Sequence, residues 1–387
     1  MKNRRFGKIK LSTLSMAIFV IAMGVRSFTA PYESAGLISQ IKYFICVLGI
    51  FVSWEIIAKR KNQERLFKAE RNKILLMIAC LAAISLFLIL YNHAFTSRTV
   101  LELIFLTVPI VYAYTYINSL SFEQIYFSMV IALALFMGGY FLNLGMSISG
   151  IISSLSSISF RNSFSLLESS VYAAPSITLA CFFLYYRKNK FITACSVIFV
   201  LLTFKRLSVI FVLLMLFLPY FVNLCQPVKK STLRIVKIGI FVATLLYFYI
   251  MIPGNAASLE NLLHIQMNQF TMGRAWRFIA LYTSGFKSSG LGSTYTYLVE
   301  RYGVSLEMDL LRLAFEVSFF GVAILINQLV DIVSKSRYCL LVMIYMFSNL
   351  LFSHSLADMF GWLLLYIIFA CVQYKHTESL GVRWKVK

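Results

Sequence analysis

The chain has 387 residues, 60% of them hydrophobic and 13% charged, with a net charge of +21 and a mean hydropathy of +0.80. Polar groups this scarce could not cover the surface of a soluble fold of that size. The apolar runs are continuous rather than alternating, which excludes a transmembrane β-barrel. Basic residues are numerous, but they cluster in short loops between apolar runs, as orientation signals do, so no nucleic-acid partner is expected.

A membrane-crossing helix needs about 20 mostly apolar residues. Twelve segments are read as spans: 11–28, 38–58, 74–91, 99–118, 125–146, 171–186, 191–204, 207–225, 235–253, 309–330, 339–356 and 360–374. The seventh is short. The start, MKNRRFGKIK before an apolar run, mimics a signal peptide, but Arg26 interrupts the small-residue end and the first span is read as retained. With both termini in the cytoplasm, 25 of the 36 Lys and Arg fall inside, eight outside and three within spans. That asymmetry fits the positive-inside rule and an even span count. The expected fold is all-α, a polytopic integral membrane protein of about twelve transmembrane helices with one large outside loop. Its parts are residues 1–253 (spans one to nine), 254–308 (the loop) and 309–387 (spans ten to twelve and a cytoplasmic tail).

Two outside segments are long. Residues 147–170 are serine-rich and read as a flexible cover. Residues 254–308 carry Phe270, Trp276, Phe278, Phe286, Tyr295 and Tyr297, too many aromatics for a disordered loop, so they are expected to fold against the membrane face.

Bases on the outer side run against the general bias and need a reason. Lys205 and Arg206 sit between two apolar runs, placed to meet an anionic substrate or a lipid phosphate, or else to snorkel at a hairpin tip. Arg274 and Arg277, three apart, share a face of a predicted helix and could grip a pyrophosphate bidentately. The SGLGS turn at 289–293 would bring backbone N–H groups near a ligand, and a cysteine at Ser289 is expected to report the outer face. Asp309, Arg312 and Glu316 form one polar stripe on the tenth span, a functional site or an ion ladder that locks helix packing. His354 and Asp358 lie i, i+4 near the end of span eleven, where a carboxylate could orient an imidazole base.

No metal or other cofactor is expected. The four histidines are scattered, Glu307 with Asp309 is the sole acid pair of interest, and none of the seven cysteines forms a CxxC. There is no P-loop, GxSxG or HExxH, so ATP-driven transport has no support within the chain.

The outside constellation resembles the bacterial O-antigen polymerase and ligase superfamily. The matching features are Gly273-Arg274, the Gly290-Leu291-Gly292 turn, Asp309 opening a span that carries Glu316 and Gly321, the basic Lys205–Arg206 element and an outer-end His354. The frequent His-Asn pair before that span is absent; Met308-Asp309 stands there. The resemblance implies a metal-independent glycosyltransferase of the bacterial inner membrane. It would transfer a glycan from undecaprenyl pyrophosphate onto another lipid-linked repeat unit at the periplasmic face, with a chain-length regulator protein as a further partner. It assigns Arg274, His354 and Asp309 to catalysis, and Lys205, Arg206 and Arg277 to the pyrophosphate. The competing classes are a lipid-linked oligosaccharide flippase or transporter and an O-antigen ligase.

Overall fold

The computed structural model describes residues 10–29, 36–60, 64–143 and 170–375, with the side chains of 36–39 and 170 excepted. The serine-rich segment and the charged tails lie outside the described residues. Among the described residues every regular element is helical and none is a strand. Seven helices are long and apolar enough to cross a membrane: α1 (Leu11–Thr29), α2 (Gly36–Lys59), α3 (Lys68–Asn92), α4 (Ser97–Ser119), α5 (Phe122–Asn143), α9 (Lys230–Met251) and α14 (Asp309–Asp331). The chain is a helical membrane protein. Five further apolar helices are shorter: α6 (Ser170–Tyr186), α7 (Lys190–Leu202), α8 (Arg206–Phe217), α15 (Arg337–Phe352) and α16 (Met359–Tyr374). All twelve fall on the apolar runs read from the sequence, because in hydrocarbon only a helix satisfies its own backbone.

Local chemistry sets many of the ends. Asn189 caps α7 by accepting from the Phe191 and Ile192 N–H groups at 2.9 and 3.3 Å. Ser336 caps α15 through the Cys339 N–H at 3.4 Å. Four short helices occupy the predicted outside loop: α10 (Pro253–Leu263), α11 (Met267–Phe270), α12 (Arg274–Thr283) and α13 (Ser293–Tyr302).

The helices gather into two compact units, each drawn from separate stretches of chain. The first takes residues up to Lys68, Val108–Asn223 and Phe360 onward. Within it α1 packs on α2 and α5, and α6 packs on α5, α7 and α8. Polar ties supplement van der Waals packing there, as expected where lipid removes the hydrophobic drive for helix association. Tyr172 donates to the Ser27 carbonyl at 2.6 Å, and Tyr116 to Ser128 at 2.7 Å.

The second unit takes Ala69–Thr107 and Leu224–Met359, so the predicted loop belongs to it. Here α14 packs on α9, α13 and α15. Phe248 of α9 anchors an aromatic cluster, with ring centres 5.0 Å from Phe278, 5.2 Å from Phe315 and 5.1 Å from Phe319. Met251, Met267, Leu281, Leu298, Leu306 and Met308 extend this core under the four short helices. The loop therefore carries a core of its own that is continuous with α9 and α14, which fits its aromatic content.

Within α14 the helix breaks. Val317 has φ −131° and ψ 17°, and Ser318 has φ 65° and ψ 171°. The Ser318 values lie in a region that side chains other than hydrogen rarely enter, at a cost of about 1–3 kcal/mol. No glycine or proline stands at the break. The Ser318 hydroxyl accepts from the Phe320 N–H at 3.3 Å and so restarts the helix.

Candidate functional site

The second unit builds the site from the start of α14 and the 353–358 turn that crosses it. Asp309 is the first residue of α14 and is fully buried. Its Oδ1 lies 2.8 Å from His354 Nδ1 and 3.1 Å from Arg312 Nε. Its Oδ2 accepts from the Ser355 and Leu356 N–H groups, both at 2.6 Å. An ionised carboxylate only accepts, so His354 Nδ1 carries the proton in this pair. The neutral ring then keeps its lone pair on Nε2, the tautomer a general base requires. The His354 side chain is 26% exposed, while Asp309 is sealed. The Asp309 charge beside the ring raises the His354 pKa above its ordinary 6.5, against the opposing effect of burial.

The sequence reading pairs His354 with Asp358, and the structure corrects this. The i, i+4 rule holds on a helix, but His354 lies in the turn after α15. Asp309, 45 residues away in sequence, takes the orienting position.

Arg312 continues the network inward. Its Nη1 and Nη2 reach the two Glu102 oxygens at 3.3 and 3.4 Å, and Nη1 lies 3.9 Å from Glu316. Arg98 donates to Glu102 at 2.9 Å and stands 4.1 Å over the Tyr295 ring. The expected Asp309–Arg312–Glu316 stripe is present as ion pairs. Glu102 is the member that sequence reasoning missed. Its signal was an acid at the start of an apolar run, one helical turn from Arg98.

The segment from Ser288 to Thr294 is inserted rather than exposed. The Thr294 hydroxyl donates to Glu316 Oε1 at 2.5 Å and its N–H at 3.3 Å. Ser288 donates to the Glu316 carbonyl at 2.6 Å, satisfying an acceptor that the α14 break releases. The Leu291 N–H donates to Ser85, and Thr99 to the Leu291 carbonyl at 2.7 Å. Gly290 passes so close to α3 that a Cβ there would fall 2.5 Å from Ser85 Cβ. These donors are spent on the protein, which corrects the expectation of a turn offering them to a ligand. Ser289 is 4% exposed, so it cannot serve as an accessible reporter.

Arg274 and Arg277 do share a face of α12, and both turn to Glu307. Arg274 Nη2 is 3.0 Å from Glu307 Oε2, and Arg277 Nη1 is 3.3 Å from Oε1. Arg274 also donates to the Thr271 carbonyl at 3.2 Å, and Arg277 to the Ser305 carbonyl at 2.9 Å. The arginine side chains are 20% and 16% exposed, and that of Glu307 is 40% exposed. The Nε of each arginine is buried without a hydrogen-bond partner. A buried donor left in that state costs about 1–3 kcal/mol. Glu307 precedes Asp309 by two residues, so the arginine clamp and the His354–Asp309 pair are joined by one short extended stretch of chain, at most about 7 Å along the backbone.

Lys205 and Arg206 belong to the first unit, at the α7–α8 turn. Lys205 occupies the N-cap position of α8, Arg206 is its first residue, and Phe204 before them takes a left-handed φ of 49°. No group of three or more metal-ligating side chains occurs among the described residues. No protein-family model, curated protein or solved structure matches the chain.

Proposed function

We propose that the chain is a polysaccharide polymerase, a glycosyltransferase of a bacterial cytoplasmic membrane with about twelve spans, both termini cytoplasmic and residues 254–308 on the outer face. The observation that carries this reading is a His354–Asp309 pair with Nε2 available, two residues of chain from a carboxylate held by two guanidiniums. An acid–base group beside an anion clamp is what transfer from a lipid pyrophosphate requires.

In this scheme His354 Nε2 takes the proton of an acceptor hydroxyl on one lipid-linked repeat unit. The acceptor oxygen bonds to the anomeric carbon of the donor glycan as the bond from that carbon to the pyrophosphate oxygen breaks. The electron pair leaves on undecaprenyl pyrophosphate, where Arg274 and Arg277 meet the developing charge. Asp309 holds the ring and stabilises the imidazolium until it returns the proton to water.

An O-antigen ligase would use the same steps with a different acceptor. A flippase or transporter draws support from the broken α14, since unwound helices line transport sites. Yet Ser288 of the chain itself takes the Glu316 carbonyl at that break and Thr294 the adjoining Glu316 carboxylate, which favours a packed joint over an ion or substrate passage.

The test is purified full-length protein with lipid-linked repeat units. A polymer ladder is expected, also in excess EDTA. His354→Ala and Arg274→Ala are expected to lose about 10²-fold or more in rate while staying in the membrane, whereas Asp358→Asn retains activity. Movement of intact lipid-linked units across vesicles with no new glycosidic bond would replace the polymerase with the transporter. Orientation is read by a single cysteine at exposed Ser284, in a background lacking the seven native cysteines. An impermeant reagent should label it in intact spheroplasts.

A further inference from the structure

We infer that Glu307 is an internal occupant of the pyrophosphate site, and that a donor binds by displacing its carboxylate from Arg274 and Arg277. The inference rests on the polymerase reading and names how the donor enters that same site.

Three observations converge. The clamp is built before any ligand arrives, one guanidinium to each Glu307 oxygen at 3.0 and 3.3 Å, with both arginines largely buried. The occupant is the most exposed member, at 40%, and stands in the non-helical stretch between α13 and α14, so it can swing outward without unwinding a helix. The occupant is also too small for the clamp. One carboxylate supplies a single negative charge against two guanidiniums and leaves both Nε donors without partners. A pyrophosphate offers more charge and more acceptor oxygens, and arginine suits such multidentate contacts.

The bland reading is a structural ion pair that holds the 303–308 stretch to α12. The two readings predict opposite signs. If Glu307 competes with the donor, removing its charge tightens binding. If it only holds the clamp in shape, removing it loosens the clamp and weakens binding. A site blocked by its own occupant about nine-tenths of the time binds about tenfold more weakly than the open site.

The experiment measures binding of farnesyl pyrophosphate to detergent-purified full-length protein, with inorganic pyrophosphate and farnesol as competitors. Wild-type protein is expected to bind, inorganic pyrophosphate to compete and farnesol not to. Glu307→Gln is expected to bind about tenfold more tightly, with the donor KM falling alongside. Glu307→Ser serves as a second variant should the glutamine protein fold poorly. Adding Arg274→Ala to Glu307→Gln is expected to abolish the gain. Equal or weaker binding by both Glu307 variants, with wild type binding normally, overturns displacement and leaves the polymerase reading standing. Failure of wild type and variants alike to bind the probe overturns both. Competition by farnesol but not by pyrophosphate places recognition on the lipid tail and also overturns the inference.

Discussion

Two carboxylates two residues apart, Glu307 and Asp309, are each held by cations, and they are held in opposite ways. Glu307 is 40% exposed and meets two arginine side chains that approach from one helix. Asp309 is fully buried and meets a histidine, an arginine and two backbone N–H groups. Water reaches the carboxylate of the first, so it can be solvated on leaving the clamp, although its two arginines are largely buried. Nothing can replace the partners of the second, since a buried charge stripped of its partners costs about 3–5 kcal/mol. The difference suits the two proposed tasks. A group that must give way to a ligand needs solvent beside it, while a group that aims a catalytic ring needs to be immobile.

The largest effect should come from Arg312→Met. It leaves Glu102, Asp309 and Glu316 without their shared cation, and a loss of about 3–5 kcal/mol is expected. Thermal unfolding in detergent, or failure to accumulate in the membrane, would register it. A variant as stable as wild type would mean that the buried network is not a supporting element, and the contrast with Glu307 would collapse.

Thr294→Val ranks next. It removes the 2.5 Å hydroxyl bond to Glu316 and leaves a buried carboxylate oxygen without that donor, so about 1–3 kcal/mol should be lost. The inserted 288–294 segment should then become more accessible, read as faster labelling of a cysteine at Ser289. Unchanged labelling would detach the segment from the network.

A pH series addresses the His354–Asp309 pair. The folded His354 pKa is raised above 6.5 by Asp309, so the pair stabilises the fold fully below that unfolded value and the contribution is lost as pH rises through the folded one. Catalysis should follow the opposite course, gaining as the ring loses its proton. A decline in Tm as pH rises above about 6.5 is expected in wild type and not in His354→Gln. Parallel curves for the two proteins would remove the pair from the stability account.

Glu307→Gln should have the smallest effect on stability, because the side chain is partly exposed and an amide oxygen can still accept from a guanidinium. Its Tm should stay close to wild type even where its donor affinity changes. A large loss would make Glu307 a structural partner like Asp309.

Much of the molecule was legible from side-chain chemistry along the chain. The apolar runs dictated helices, since each run must close its own backbone hydrogen bonds, and the Asp309–Arg312–Glu316 spacing placed three charges on one face. Phe278, Phe286 and Tyr297 signalled a loop with a core, whereas Phe270 and Trp276, read together with them, lie exposed. Tertiary structure decided what those charges touch. Glu102 joins Arg312 across 210 residues of sequence, and Asp309 joins His354 across 45. Local periodicity carries no information at that separation, so Asp358 looked like the partner of His354. The break at Val317–Ser318 was equally hidden, because neither residue is a helix breaker by type. Ser288, arriving from another segment, satisfies the Glu316 carbonyl at the break, while Thr294 holds the Glu316 side chain beside it. The arginine pair was visible on α12 as a face with two charges. Its occupation by Glu307 was set by the stretch after α13, which folds back far enough for one carboxylate to reach both guanidiniums.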